Sequence, residues 1–320
     1  MQSPAASVTW TQLVGAISGA AIAVAIVFGT FRRQRLRREA RNERPPQTEK
    51  LLRPPGYSAM VKIDELAENL PYTALQILGA ATLLGVCVFS FPPIVVSIFK
   101  QQLAFTDLLG MVASTGVILA LPLVAGSAYW LARSWKSHRR GVEELRNWRL
   151  GYRGEQAVAE KLADRSLAAA GFVAFHDVPG DGKWNIDHVV VGPPGVFVIE
   201  TKAKSRQNSN SYQEDHEVRF DGKTLQFPWG GFDDEAAAQA KRNADWVRDF
   251  IKAFPPKGVA VQPVVVLPGW YVVSNGDYPV KAMNAKYLVK YLKGMKAVFT
   301  VEELGPIFAR LEERCRTVEF

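Results

Sequence analysis

Three stretches in the first part of the chain carry no charged side chain: Leu13–Phe31, Thr73–Phe99 and Leu108–Ala132. From about residue 150 the pattern changes to short apolar runs separated by polar turns. A helix rises ~1.5 Å per residue, so about 20 apolar residues cross a ~30 Å hydrocarbon layer. The pattern therefore predicts three membrane-spanning helices, at about 10–31, 73–99 and 108–132.

The charges that flank these runs suggest an orientation. Met1 to Gln12 has no charge, whereas Arg32, Arg33, Arg35, Arg37, Arg38, Arg41 and Arg44 follow the first run. A cleaved signal peptide would carry its positive charge before the apolar run. Arg133, Lys136, Arg139 and Arg140 follow the third run, and only Lys100 and Asp107 lie between the second and third. The positive-inside rule then places the N-terminus outside and both basic clusters in the cytoplasm. The expected layout is a multi-pass anchor in the cell (inner) membrane over residues 1–140, with a basic cytoplasmic loop at 32–72, and a cytoplasmic domain over 141–320. The apolar runs contain no ionisable side chain of the kind that marks a transport path, so the lipid bilayer is expected as a partner and a channel is not.

The second part predicts a small α/β domain with a C-terminal α extension. Gly154 to Ala170 has helical spacing, with Glu155, Val158, Ala159 and Leu162 on one face and Gly171 as the stop. Phe172–Val178, Asn185–Val191 and Val196–Lys202 are strand candidates, the last two joined by Gly192-Pro193-Pro194-Gly195. A further hairpin is expected around Asp221-Gly222. Asp233 can cap a helix from Asp234 to about Ala253, and Val261–Leu267 reads as a buried strand. Thr300 with Glu303 forms a capping box for a last helix at about 301–315.

Composition narrows the classes. Of the 320 residues 48% are hydrophobic and 22% charged, ample apolar surface for a core, which excludes overall disorder. Two cysteines, Cys87 and Cys315, exclude a disulfide framework and a zinc ribbon. The net charge of +8 comes wholly from residues 1–149, since residues 150–320 hold 22 cations and 22 anions. High pI is therefore no sign that the second part binds nucleic acid.

The sharpest chemistry lies in the 185–202 hairpin. A four-residue loop at 192–195 places Val191 opposite Val196, and the same register places Asp187 opposite Glu200. Directly opposed residues have Cβ atoms ~4.5–5.5 Å apart, and like charges there repel. Two poorly hydrated carboxyls at that spacing share a proton or a cation. Lys202 lies two residues beyond Glu200 and points to the same face. Mg²⁺ suits a few carboxylates and keeps several of its waters.

Gly151-Tyr152-Arg153-Gly154-Glu155, Asn185-Ile186-Asp187-His188 and Val198-Ile199-Glu200-Thr201-Lys202 together resemble the nuclease-related (NERD) domain of the PD-(D/E)xK nuclease superfamily. The resemblance covers roughly residues 148–270 and implies a restriction-endonuclease-like αβββαβ core. It implies that Asp187 and Glu200 bind Mg²⁺ or Mn²⁺, with Glu155 completing the acidic set. It implies that Lys202 orients the attacking water and stabilises charge on the phosphate. The helix with Gln239-Ala240 and Asn243-Ala244 resembles the family's final motif, with Gln239 as a further site residue. Gln239, Asn243, Trp246 and Phe250 lie on one stripe of it.

The implied activity is hydrolysis of phosphodiester bonds in DNA, or alternatively RNA, at the cytoplasmic face of the membrane. The competing reading is a membrane-tethered nucleic-acid-binding or scaffold module with an inactive nuclease-like fold. The neutral second part favours the latter, because phosphate binding draws on cations. A third reading is a membrane protein whose soluble domain only binds a partner protein. No helicase or kinase motif is present, so an ATPase or helicase partner would be a separate chain, and a homo-oligomer is compatible. His188 points away from Asp187 and reads as a satisfied core or edge histidine; Trp229 and Trp270 read as loop packing; Lys202, Lys204 and Arg206 form a short basic run beside the site.

Overall fold

The computed structural model describes residues 29, 33, 50–101, 108–182, 184–205 and 216–318. The chain forms two compact units, one of residues 1–44 and 65–145, the other of residues 45–64 and 146–320.

The first unit contains most of two long helices, α1 (Tyr57–Gln101) and the earlier part of α2 (Leu108–Leu162). Their described contacts run in opposite chain directions. A Cβ at Gly141 would lie 3.1 Å from Leu70, and one at Gly79 lies 3.7 Å from Trp130. Between these contacts, Thr73 Oγ1 and His138 Nδ1 are 2.7 Å apart.

The expected three-helix membrane anchor is not supported. The uncharged runs at 73–99 and 108–132 are helical, but they are pieces of longer helices. Once begun, a helix propagates cheaply through residues that tolerate it. Thus α1 takes in Lys62, Asp64, Glu65 and Glu68, and α2 continues through Arg133, Lys136, Arg139 and Arg140 as far as Leu162. Among the described residues, no helix is long and apolar enough to cross a membrane. The expected first span at 10–31, Gly29 apart, lies outside the described residues, as does Arg206.

The second unit is mixed α/β. A five-stranded sheet has the order β10-β8-β4-β3-β2, formed by β2 (Val173–Pro179), β3 (Asn185–Gly192), β4 (Gly195–Thr201), β8 (Val261–Val266) and β10 (Lys281–Met283). Strands β2, β3 and β4 form an antiparallel meander, whereas β8 is parallel to β4 and β10 is parallel to β8. A parallel neighbour requires a crossover, and α4 (Glu235–Ile251) lies in it. With the end of α2 ahead of β2, this gives the αβββαβ order.

Both faces of this sheet are covered, which explains its nearly continuous apolar strands. On one face Val189, Val191, Val196 and Val198 pack with Ala244, Val247 and Ile251 of α4, and with Ile307 and Leu311 of α6 (Gly305–Cys315). On the other, Val190, Phe197 and Ile199 pack with Val158 and Leu162 of α2, Leu167 of α3 (Arg165–Ala169), and Leu288 and Leu292 of α5 (Ala285–Gly294). The alternation 189/191 against 190 is the two-residue strand period.

A smaller sheet has the order β7-β6-β5-β9, from β5 (Glu217–Phe220), β6 (Leu225–Gln226), β7 (Phe232–Asp233) and β9 (Tyr271–Ser274). Its β5–β6 hairpin turns at the expected Asp221-Gly222, where Asp221 Oδ1 accepts from the amides of Lys223 and Thr224. Trp229 stacks on Phe227, and Trp270 is buried against both, so these tryptophans pack the loop.

Two helix expectations change in detail. The helix expected over 154–170 breaks after Leu162, because Asp164 Oδ1 accepts from Ser166 N and starts α3 afresh. The Thr300–Glu303 box forms reciprocally, but α6 itself begins at Gly305. The last strand, β11 (Arg316–Val318), pairs with β1 (Leu51–Leu52).

Candidate active site

The hairpin register follows the apolar pattern. Gly192 pairs with Gly195, Val191 with Val196, and the ladder continues to His188 with Ile199. Regular pairing stops there, one step before the two carboxylates. Asp187 Oδ2 instead accepts the Thr201 amide at 2.7 Å, so a side chain takes the place of a ladder carbonyl. On its other edge Thr201 pairs with Val266 of β8, so this end of β4 stays fixed.

Glu200 is 4% exposed. Asn243 of α4 donates Nδ2 to its Oε2 at 3.3 Å. Burial, then the charge of Asp187, pushes the Glu200 carboxyl well above its ordinary range, against the pull of Lys202. Asp187 is half-buried. Burial raises its carboxyl to about 7, although the Thr201 amide opposes the rise.

Glu155 enters from α2, and Gly154 sets its approach. A Cβ at Gly154 would stand 2.7 Å from Ala203 Cβ and 3.4 Å from Thr201 Cγ2. Only a bare backbone lets the helix come this near the end of β4. Burial, followed by the charges of Asp187 and Asp177, raises Glu155 to about 9.

Lys202 Nζ stands 3.8 Å from Asp233 Oδ2, and Lys204 Nζ stands at the same distance. The Lys202 charge favours the ionised forms of both Asp187 and Glu200. Asp233 has a second task, since its Oδ1 accepts the Ala236 amide at the start of α4.

The structure thus brings Glu155, Asp187, Glu200 and Lys202 into one electrostatic neighbourhood. Gln239 is half-buried one turn before Asn243, and it is Asn243 that donates to Glu200. His188 is fully buried with its Nδ1 2.8 Å from His176 Nδ1, but its Nε2 has no hydrogen-bond partner among the described residues, so it is only half satisfied. Burial lowers His176 to about 4, and burial, then the neighbouring His176, holds His188 well below the ordinary imidazole range.

Residues 150–268 match the family model of the nuclease-related domain, NERD. No curated protein and no solved structure gives a significant match to the chain. The nuclease-related domain begins within α2, just ahead of Glu155, and ends just beyond β8, so it takes in the hairpin and α4.

Donor chemistry can be tested against a divalent cation. Glu155 Oε2 and Thr201 Oγ1 are buried without hydrogen-bond partners among the described residues. Asp187 raises the proton affinity of both Glu155 and Glu200, and Glu155 adds to that of Glu200, a repulsion that a cation would relieve. Among the described residues, however, no three His, Cys, Asp or Glu side chains are grouped to hold a metal together. A site there would have to be of the kind that takes one or two carboxylates and completes its shell with water.

Sequence reasoning missed two contributors within the nuclease-related domain. Asp233 was legible only as a helix cap, and its neighbourhood to Lys202 needs the fold. Asp177 is fully buried in β2 at φ 49°, accepts from Asn185 Nδ2 at 2.7 Å, and acts electrostatically on Glu155 and Asp187. An aspartate inside an apolar strand was its one sequence signal.

Proposed function

We propose that the protein is a divalent-metal-dependent nuclease that hydrolyses phosphodiester bonds of DNA or, as the alternative substrate, RNA. The observation that carries this reading is the buried Asp187–Glu200 hairpin end, with Lys202 beside it, inside a region that matches the nuclease-related domain.

Asp187 and Glu200 would hold Mg²⁺ or Mn²⁺, with Glu155 at the margin of the same set. When bound, the ion polarises a phosphoryl oxygen and lowers the pKa of a water. Asn243 fixes the Glu200 carboxyl, so that its free oxygen keeps one direction. Lys202 orients the attacking water and meets negative charge that builds on the phosphate. Water adds to phosphorus, the bond to the leaving oxygen breaks, and that oxygen takes up a proton.

Location is part of the proposal and rests on Leu13–Phe31 with the arginines after it. That segment would hold the protein at a membrane with the nuclease-related domain on the arginine side. Removal of residues 1–44 should then move the protein from the membrane fraction to the supernatant after carbonate extraction.

A second reading, a nucleic-acid-binding or scaffold module without activity, is favoured by the balanced charge of residues 150–320, because phosphate binding draws on cations. The deciding experiment uses the purified full chain with plasmid DNA, linear DNA and RNA, in Mg²⁺, Mn²⁺ or EDTA. Cleavage that requires metal and is lost in Asp187→Ala and Lys202→Ala supports the nuclease. Binding without cleavage in every condition supports the second reading.

A further inference from the structure

The nuclease-related match begins at residue 150, yet chain from residues 51–58 lies against Glu155. This segment is held at several points. Its first residues pair with the last strand, Leu51 with Val318 and Leu52 with Arg316, and Arg53 N donates to Cys315 O at 3.1 Å. Arg53 Nε then donates to Thr317 Oγ1 at 2.7 Å.

Its middle is tied to Asp177, whose carboxylate accepts from Arg53 at 2.7 Å, from Ser58 N at 3.1 Å and from Ser58 Oγ at 2.8 Å. With the Asn185 bond, every hydrogen bond to this buried carboxylate among the described residues either fixes the segment or closes the strand end. An aspartate with 0% exposure would be very costly without such partners.

The same segment also grips the turn of α2 that bears Glu155. Gln156 Nε2 donates to Pro55 O at 2.6 Å. Gly56, at φ +69°, lies so close that a Cβ there would stand 2.7 Å from the Tyr152 ring and 3.5 Å from Glu155 Oε2. Two prolines, Pro54 and Pro55, stiffen the stretch between these holds.

We propose that residues 51–58 are a strap that positions Glu155, with Arg53 and Asp177 as its positioning residues. The catalytic unit of this chain therefore extends beyond the matched domain. Asp177 of β2 holds the strap, the strap holds the Tyr152–Gln156 turn, and that turn sets where the Glu155 carboxyl stands. The kinetic half of the proposal rests on the nuclease reading; the structural half does not.

The test uses the full chain and compares wild type with Arg53→Ala, Arg53→Lys, Ser58→Ala and the remote surface variant Arg248→Ala. Hydrogen–deuterium exchange reads the backbone of residues 152–158. Arg53→Ala should speed exchange there by about tenfold or more while α4 keeps its protection. The same variant should lower kcat about tenfold or more with KM little changed, since misplacement affects the reacting geometry rather than substrate capture. Arg53→Lys, which keeps the charge on Asp177, should recover part of both effects, and Arg248→Ala should show neither.

Unchanged exchange at 152–158 in Arg53→Ala overturns the strap. Loosened exchange with undiminished kcat overturns its role at the site. If Arg53→Ala fails to fold, Ser58→Ala carries the same two readouts. If wild type cleaves nothing under any metal, the nuclease reading fails, and exchange at 152–158 alone decides the strap.

Discussion

Asp187 and Glu200 reach the site on adjacent strands of one short hairpin, whereas Glu155 reaches it on a helix gripped by chain about a hundred residues away in sequence. In the hairpin, the turn and the two-residue alternation leave one acceptable register, because a one-residue slip would turn every valine to the wrong face. Around Glu155 no such local rule operates. Its position depends on Gly154 against Ala203 and on the strap against Tyr152. The two halves of one site thus have different sources of order, one in local pairing and the other in long-range packing.

The largest effect should come from the hairpin half. Asp187→Ala should reduce cleavage by about 10²-fold or more, because it removes both a proposed ligand and the acceptor of the Thr201 amide. Steady-state kinetics with plasmid DNA checks this, and activity near wild type would break the hairpin side of the comparison.

The partner of Glu200 ranks next. Asn243→Ala should cost about 10–100-fold, since it frees a carboxylate that the amide holds. Gln239→Ala, one turn away, should cost less. The reverse order would restore Gln239 to the central place its motif implies.

A pH series sharpens the contrast through stability. The folded chain holds Glu155 protonated up to about 9 against an ordinary 4.5, and Asp187 up to about 7 against 3.8. Between those limits the unfolded chain binds fewer protons than the folded one, so metal-free stability falls as pH rises. The Tm measured in EDTA should drop from pH 5 to pH 8.5. Asp187→Asn should flatten the lower part of that slope and Glu155→Gln the whole of it. Mg²⁺ should raise the Tm most at the alkaline end, where the carboxyls release their protons to solvent and are free to bind the ion.

The smallest effect separates two lysines. Both stand 3.8 Å from Asp233, but Lys202 also acts on Asp187 and Glu200. Lys202→Ala should cost activity strongly, while Lys204→Ala, 43% exposed, should change KM by only about twofold and chiefly at low salt. Equal losses would place both cations at the reacting phosphate.

Much of the second unit was legible. Gly192-Pro193-Pro194-Gly195 announced the turn, Val191 against Val196 followed, and Val261–Val266 formed the buried parallel strand its apolar run implied. In each case a local period carries the information. Helix ends were less legible, as Asp164 shows by splitting an apparently continuous helix. The helices around the second and third apolar runs differ from the expected spans for a related reason. Uncharged composition marks what a helix contains, but helix length is set by residues on either side, and α1 and α2 run on into charged turns.

By itself the sequence determined β2, β3, β4 and β8, the hairpin register, and therefore that Asp187, Glu200 and Lys202 share one end of a buried ribbon. Strand alternation and turn chemistry act over a few residues and leave little else open. Only the tertiary structure decided that Asn243 serves Glu200, that Asp233 gathers two lysines, and that Arg53 and Ser58 tie a distant segment to Asp177. Those contacts join residues with no shared period. They form because a buried carboxylate must find donors wherever the folded chain brings them.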